Sequence, residues 1–169
     1  MAQDFKDIQP ESLKDNVFAL IGADWMLVTA GTPESYNTMT ASWGGMGVLW
    51  DKHVCFCFIR PTRHTHGFME ASKFFTLSFF EEKYRSVLNY CGSHSGREVD
   101  KARETGITPV KGKTGAVYFG EARLVIECEK IYFQDLIPAH FLSPDIERNY
   151  PKKDYHRMYI GRIVRCAVS

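Results

Sequence analysis

Residues 59–66 read IRPTRHTH and put two arginines, two threonines and two histidines into one bend. Arg60 and Arg63 carry forked, permanently charged donors, and Thr62 and Thr65 add hydroxyls. An apolar run precedes the bend, Pro61 interrupts it, and helix-compatible residues follow. The cluster therefore falls at a helix start, where unpaired backbone N–H groups collect partial positive charge. Such a set suits a phosphate. Solvated surface arginines with capping threonines are the alternative use of the same residues. A metal is a further alternative, but His64 and His66 diverge on a helix. His53, His94, His140 and His156 are scattered and lack cysteine partners at zinc spacing, so no metal ligand is assigned.

A second stretch, NTMTASWGGMG at 37–47, carries another kind of chemistry. As a strand it puts Thr38, Thr40 and Ser42 on one face and Asn37, Met39, Ala41 and Trp43 on the other. Small residues, hydroxyls, an amide and following glycines make a wall that a planar heterocycle can approach closely. An amphipathic edge strand ending in a glycine turn is the alternative reading. The stretch GITPVKGKTG at 106–115 imitates a phosphate-binding loop, but its glycines are wrongly spaced and a strand-like run follows where that motif needs a helix. It reads as a basic turn into a hairpin over 116–134.

Strands must position these residues. Runs rich in β-branched and aromatic side chains occupy 25–31, 37–45, 53–60, 74–80, 116–134 and 158–168. The run at 53–60 is apolar on both faces, which predicts a central strand covered on both sides, inside a barrel or at a subunit contact. Three short helices fill the gaps: one over 65–72, one over 81–91 stopped by Gly92, and one opened by a Ser95–Glu98 capping box and closed by Gly106. Many strands with helices only at connections give a mainly β (α+β) chain, a decorated β-barrel in one domain, 1–169.

Composition narrows the function. The 169 residues include 21 basic and 20 acidic side chains, so no general field for nucleic acid is present and any anion site is local. Five cysteines without a C-x-x-C pair read as reduced, buried thiols. The polar N-terminus and the lack of a membrane-length apolar segment make the cytoplasm the expected location and exclude a membrane partner.

In order and separation, NTMTASWGGMGVLW, RPTRHT, FTLSFF and CGSHSGREVDK resemble the flavin reductase-like family with an FMN-binding split β-barrel, in particular its flavoredoxin branch. The resemblance spans about residues 15–165. It implies a homodimer with FMN at the subunit interface. Asn37, Thr40, Ser42 and Trp43 would border the ring or ribityl chain, while Arg60, Thr62, Arg63 and Thr65 would address the phosphate. It also implies that Lys101 and His140 reach the flavin, and that His156 in DYHRMYIGRI is a catalytic residue near the nicotinamide or substrate mouth, a strand-end histidine being the alternative. The implied activity is hydride transfer from NADH or NADPH through FMN to a flavin, ferric complex or protein acceptor. Two rivals remain: a flavoredoxin-type electron carrier without NAD(P)H activity, and a noncatalytic flavin-binding module. The basic residues Lys111 and Lys113 and the run at 150–157 fit a docking surface, an NADPH phosphate site or a solvated face, with no assignment among them.

Overall fold

The computed structural model describes residues 4–169. Among the described residues are ten strands: β1 (Lys6–Ile8), β2 (Met26–Thr32), β3 (Ser35–Ala41), β4 (Gly44–Leu49), β5 (Lys52–Ile59), β6 (Phe74–Phe79), β7 (Pro109–Lys111), β8 (Val117–Phe119), β9 (Leu124–Asp135) and β10 (Arg157–Val168). The main sheet is antiparallel with the order β3-β2-β6-β9-β10-β5-β4, and β1 pairs with the far end of β10. Its two edge strands, β3 and β4, are consecutive in the chain and joined only by Ser42 and Trp43. That link reaches about 11 Å at full extension, so the sheet must curl until its edges meet. No ladder pairs β3 with β4 among the described residues, and the barrel is left split along this seam.

Inside the barrel, Met26, Val28, Phe75, Leu77, Phe79, Ile126, Cys128 and Tyr159 form the main core. Gly161 on β10 admits the Phe75 ring, since a Cβ there would fall 2.5 Å from it. The opposite face of β2 and β9 contributes Leu27 and Val125 to a second core with Val87, Leu88, Cys91, Ala102 and Phe119. Alternation along the strands supplies both layers. All five cysteines are free and buried.

Four helices connect the strands: α1 (Val17–Ala19), continued by a wider turn over Leu20–Asp24, then α2 (His64–Ala71), α3 (Arg85–Ser93) and α4 (Lys101–Thr105). Several expectations need correction. The run at 37–45 is two strands at opposite edges, broken where the seam forms. The runs at 117–119 and 124–135 are not a hairpin, because β8 pairs with β7 while β9 pairs with β6 and β10. Gly92 lies within α3 instead of stopping it, and its missing side chain admits Thr40, whose Cβ is 3.3 Å from the site a Cβ would take. No capping box forms at Ser95 and Glu98: Asp100 caps α4 by accepting from the Arg103 backbone N–H at 3.1 Å. Gly106, at φ +73°, ends that helix as expected. The doubly apolar β5 lies one strand from an edge. Val54, Cys55, Cys57 and Ile59 are buried, but Phe56 and Phe58 are only half-buried in a single chain.

Candidate functional site: a cationic groove at the barrel seam

A groove follows β3 away from the seam. At the seam end, a cleft of about 230 Å³ is lined by Thr40, Ser42, Trp43, Phe58, Arg60, Arg63 and His156, with Met39 and Ala41 beneath. Further along, a recess of about 70 Å³ lies between Asn37, Thr62, Arg63, His64, Thr65, Ser95, Gly96 and Lys101. Met39 and Arg63 line both, so the two lie side by side along β3. The fold thus gathers the two stretches singled out by chemistry, although they lie on different elements.

The cations of this groove are held mainly by backbone carbonyls. Both terminal nitrogens of Arg63 donate to the Gly92 carbonyl, at 3.2 and 3.1 Å. Lys101 Nζ donates to the carbonyls of Thr38 and Cys91, each at 2.8 Å, and Arg97 donates to the Thr62 carbonyl at 3.3 Å. Among the described residues none of these three pairs with a carboxylate. Arg60 does, donating to Asp154 at 2.9 Å and to the Asn149 carbonyl at 2.8 Å. Burial lowers the Lys101 pKa to about 8, and Arg63 adds to the fall. Burial also lowers Arg63, with Arg60 contributing, and lowers His64, with Arg97 and Lys101 contributing. These groups repel one another, and an anion among them would relieve the repulsion.

The hydroxyls and amide are more committed than their sequence suggests. Asn37 donates to Thr65 Oγ1 at 2.8 Å, which pins β3 to α2 and buries Thr65 completely. Thr40 donates to the Leu88 carbonyl at 2.5 Å and holds α3. Thr62 is exposed and donates to Asp154 at 3.4 Å. Segment 95–100 presses so close that a Cβ on Gly96 would fall 1.9 Å from Asn37 Oδ1. The first turn of α2 has no side-chain cap; the His66 N–H donates to the Arg63 carbonyl at 3.0 Å, which leaves the His64 and Thr65 N–H groups as the ones free to face the recess.

At the seam, His156 is buried with its ring centroid 5.2 Å from that of Trp43, which is 46% exposed. Its Nδ1 lies 2.8 Å from the Tyr150 hydroxyl. Burial, helped by Arg60, pushes the imidazole pKa down to about 4, so the ring is neutral near pH 7. His140 is exposed in a short turn, Pro138–His140, and does not line the groove of a single chain. Arg97, Gly96 and Phe58 join the site without having been assigned to it from the sequence, and so do Tyr150 and Asp154, which the sequence marks only as part of the run at 150–157. Only their folded neighbours distinguish them from ordinary surface or packing residues.

The loop at 112–116 is a separate matter. Its backbone does cradle an anion, but that anion is Glu127 of the same chain. The Glu127 carboxylate accepts from the backbone N–H groups of Lys113 and Thr114, at 3.1 and 2.9 Å, and from the Thr114 hydroxyl at 2.6 Å. Arg165 completes the shell at 2.9 Å. Among the described residues there is no group of three or more side chains arranged to hold a metal ion.

The profile of the flavin reductase like domain matches residues 18–169. Comparison with curated protein sequences gives no match. Among solved structures, flavoredoxin of Desulfovibrio vulgaris is 24% identical, with 86% of this chain and 69% of that one covered and a TM-score of 0.67. An FMN-binding protein from Thermus thermophilus, bound to 1-cyclohex-2-enone, is 23% identical over 95% of this chain and 79% of its own, at a TM-score of 0.68. An NADH:FAD oxidoreductase of Streptomyces globisporus is 17% identical over 86% of this chain and 75% of its own, at 0.64. A profile match over nearly the whole chain and a common split-barrel architecture lead to one conclusion: the chain belongs to the flavin reductase-like family and has a flavin-related redox function.

Proposed function

We propose that this protein is an FMN-dependent oxidoreductase, acting as a homodimer on electrons from NADH or NADPH. One observation carries the reading: Arg63 and Lys101 line a recess without a carboxylate partner among the described residues, beside the first turn of α2, with Arg97 held nearby on the Thr62 carbonyl. This donor set fits a phosphate ester, which is costly to desolvate unless charged donors compensate it. The flat remainder of the groove, along Met39, Ala41 and Trp43, fits a planar ring system leading from that phosphate.

Bound FMN supplies the redox chemistry, accepting a hydride and passing electrons onward. The chain supplies the rest. Arg63, Arg97 and Thr62 bind the phosphate, and Lys101 faces the anionic parts of the cofactor. Asn37 and Thr65 hold β3 and α2 at a fixed separation. Trp43 and Phe58 exclude water from the seam, and His156 offers a neutral ring nitrogen to the second reactant. Val48, Trp50, Tyr132, Phe133 and Ile137 are exposed, and a second copy covering them would also bury the open side of β5. The five buried free thiols are compatible with a reducing, cytoplasmic setting.

A flavoredoxin-type carrier without NAD(P)H activity is the second reading, favoured by the 24% identity to flavoredoxin. The test is a visible spectrum of the purified protein, followed by anaerobic addition of NADH or NADPH. Yellow protein that bleaches at a catalytic rate supports the oxidoreductase. Yellow protein that only dithionite bleaches points to the carrier, and protein unable to bind FMN overturns both.

A further inference from the structure

The groove ends against His156, and the side chain in hydrogen-bond contact with this ring is Tyr150. Tyr150 is 3% exposed, and its hydroxyl lies 2.8 Å from His156 Nδ1. The phenol is itself clamped: Phe141 stacks at 6.0 Å, Tyr155 leans on it at 5.0 Å, and the Arg60 guanidinium lies 4.9 Å from its centroid.

A neutral imidazole carries one proton, on Nδ1 or on Nε2. With the proton on Nδ1, the Tyr150 hydroxyl hydrogen would be left without an acceptor among the described residues. Leaving a buried donor of this kind unpaired is unfavourable. With Nδ1 bare, Tyr150 donates to it, and the phenol oxygen keeps its lone pairs for the nearby His156 backbone N–H. The second arrangement pairs the phenol hydrogen and Nδ1 with each other. It leaves the proton on Nε2, which has no partner among the described residues and is not among the buried unpaired atoms. Nε2 therefore reaches the cleft that His156 lines with Trp43 and Phe58. The charged groups facing the ring are Arg60 and Arg63, which disfavour a second proton, and Asp154, which favours one.

We propose that Tyr150 is a positioning residue that donates to Nδ1 and fixes His156 as a neutral imidazole with Nε2–H turned into the cleft. A reactant placed there meets a donor without a charge, and must present an acceptor such as a carbonyl or amide oxygen. The proposal deepens the functional reading above and rests on it only for the identity of that reactant.

The test is NMR of the purified protein with ¹⁵N-labelled histidine, with His156 assigned by the signal missing in His156→Gln. The expected result is an Nε2–H ring that does not take up a second proton between about pH 8 and about pH 5, below the ordinary histidine range. In Tyr150→Phe the ring should populate both tautomers, and kcat should fall at least tenfold with a smaller change in KM. An Nδ1–H ring in the unmodified protein overturns the proposal, as does an unchanged ring in Tyr150→Phe. Should Tyr150→Phe fail to fold, the unmodified protein's spectrum still decides. An Nε2–H ring in a protein that binds no FMN would sink the functional reading and leave the role of Tyr150 standing.

Discussion

Lys101 is buried with two carbonyl partners and no counter-ion among the described residues, and this gives it two pH signatures. Its pKa falls from 10.5 to about 8, so between those values the unfolded chain binds the proton more readily than the folded one. Stability of the flavin-free protein should therefore rise with pH across that window, a gain absent in Lys101→Met when urea midpoints are compared. An anion in the groove favours the protonated amine, so FMN affinity should weaken above about pH 8 by up to tenfold per unit, and titration by fluorescence quenching checks it. Glu127 has the opposite sign. Hydrogen bonds from Thr114, Lys113 and Arg165 outweigh the burial that would raise its pKa, and hold the carboxyl below its ordinary value. Its contribution is present above that ordinary value and is lost as pH falls through the lowered one. Glu127→Gln should cost about 3 kcal/mol near neutrality, as expected for a broken buried pair, and should flatten the acid limb of a stability profile.

The recess depends on how closely segment 95–100 approaches β3. A methyl group on Gly96 would collide with Asn37 Oδ1 and push that segment, with Arg97 and Lys101, away from the groove. Gly96→Ala is therefore expected to weaken FMN binding about tenfold or more and to cost about 1–3 kcal/mol, the usual range for overpacking, in paired calorimetric measurements of affinity and melting. The turn between β4 and β5 is built against local preference. Trp50 and Asp51 both take positive φ, +51° and +55°, in the two-residue connection where Asn and Gly are favoured. Trp50 is nevertheless 52% exposed and packs edge-on against Tyr132 at 5.8 Å. A large aromatic in a strained, exposed position is a costly choice for a monomer, and it lies on the apolar surface proposed for the partner.

On the scale of the molecule, the proposed dimer would cover this surface. Trp50→Asn removes the aromatic contact while easing the left-handed backbone, which should stabilise each chain by up to about 1 kcal/mol. Sedimentation velocity should find a dimer for the unmodified protein and a shift toward monomer for Trp50→Asn. A dimer of unchanged affinity would remove this surface from the interface. If the expected shift is found, His140, exposed and away from the groove of its own chain, would be positioned by the same association.

The sequence alone singled out most of the residues that the proposed function uses. The bend at 60–65 and the strand at 37–43 were legible because charge, hydroxyls and alternation are local properties, and the split-barrel architecture was legible because the order of motifs resembled a family. What it did not determine depends on pairing between distant segments. The break at Ser42–Trp43 exists only because β3 and β4 lie at opposite edges of one sheet that curls on itself. The late start of α4 follows from Asp100, which caps it in place of Ser95. Arg97 and Tyr150 look like ordinary polar and aromatic residues until the Thr62 carbonyl and His156 Nδ1 are brought against them. The same holds for the loop that imitates a phosphate site, since only the tertiary structure puts Glu127 in the anion's place. Composition and spacing name the donors, and long-range contacts decide which acceptor each one meets.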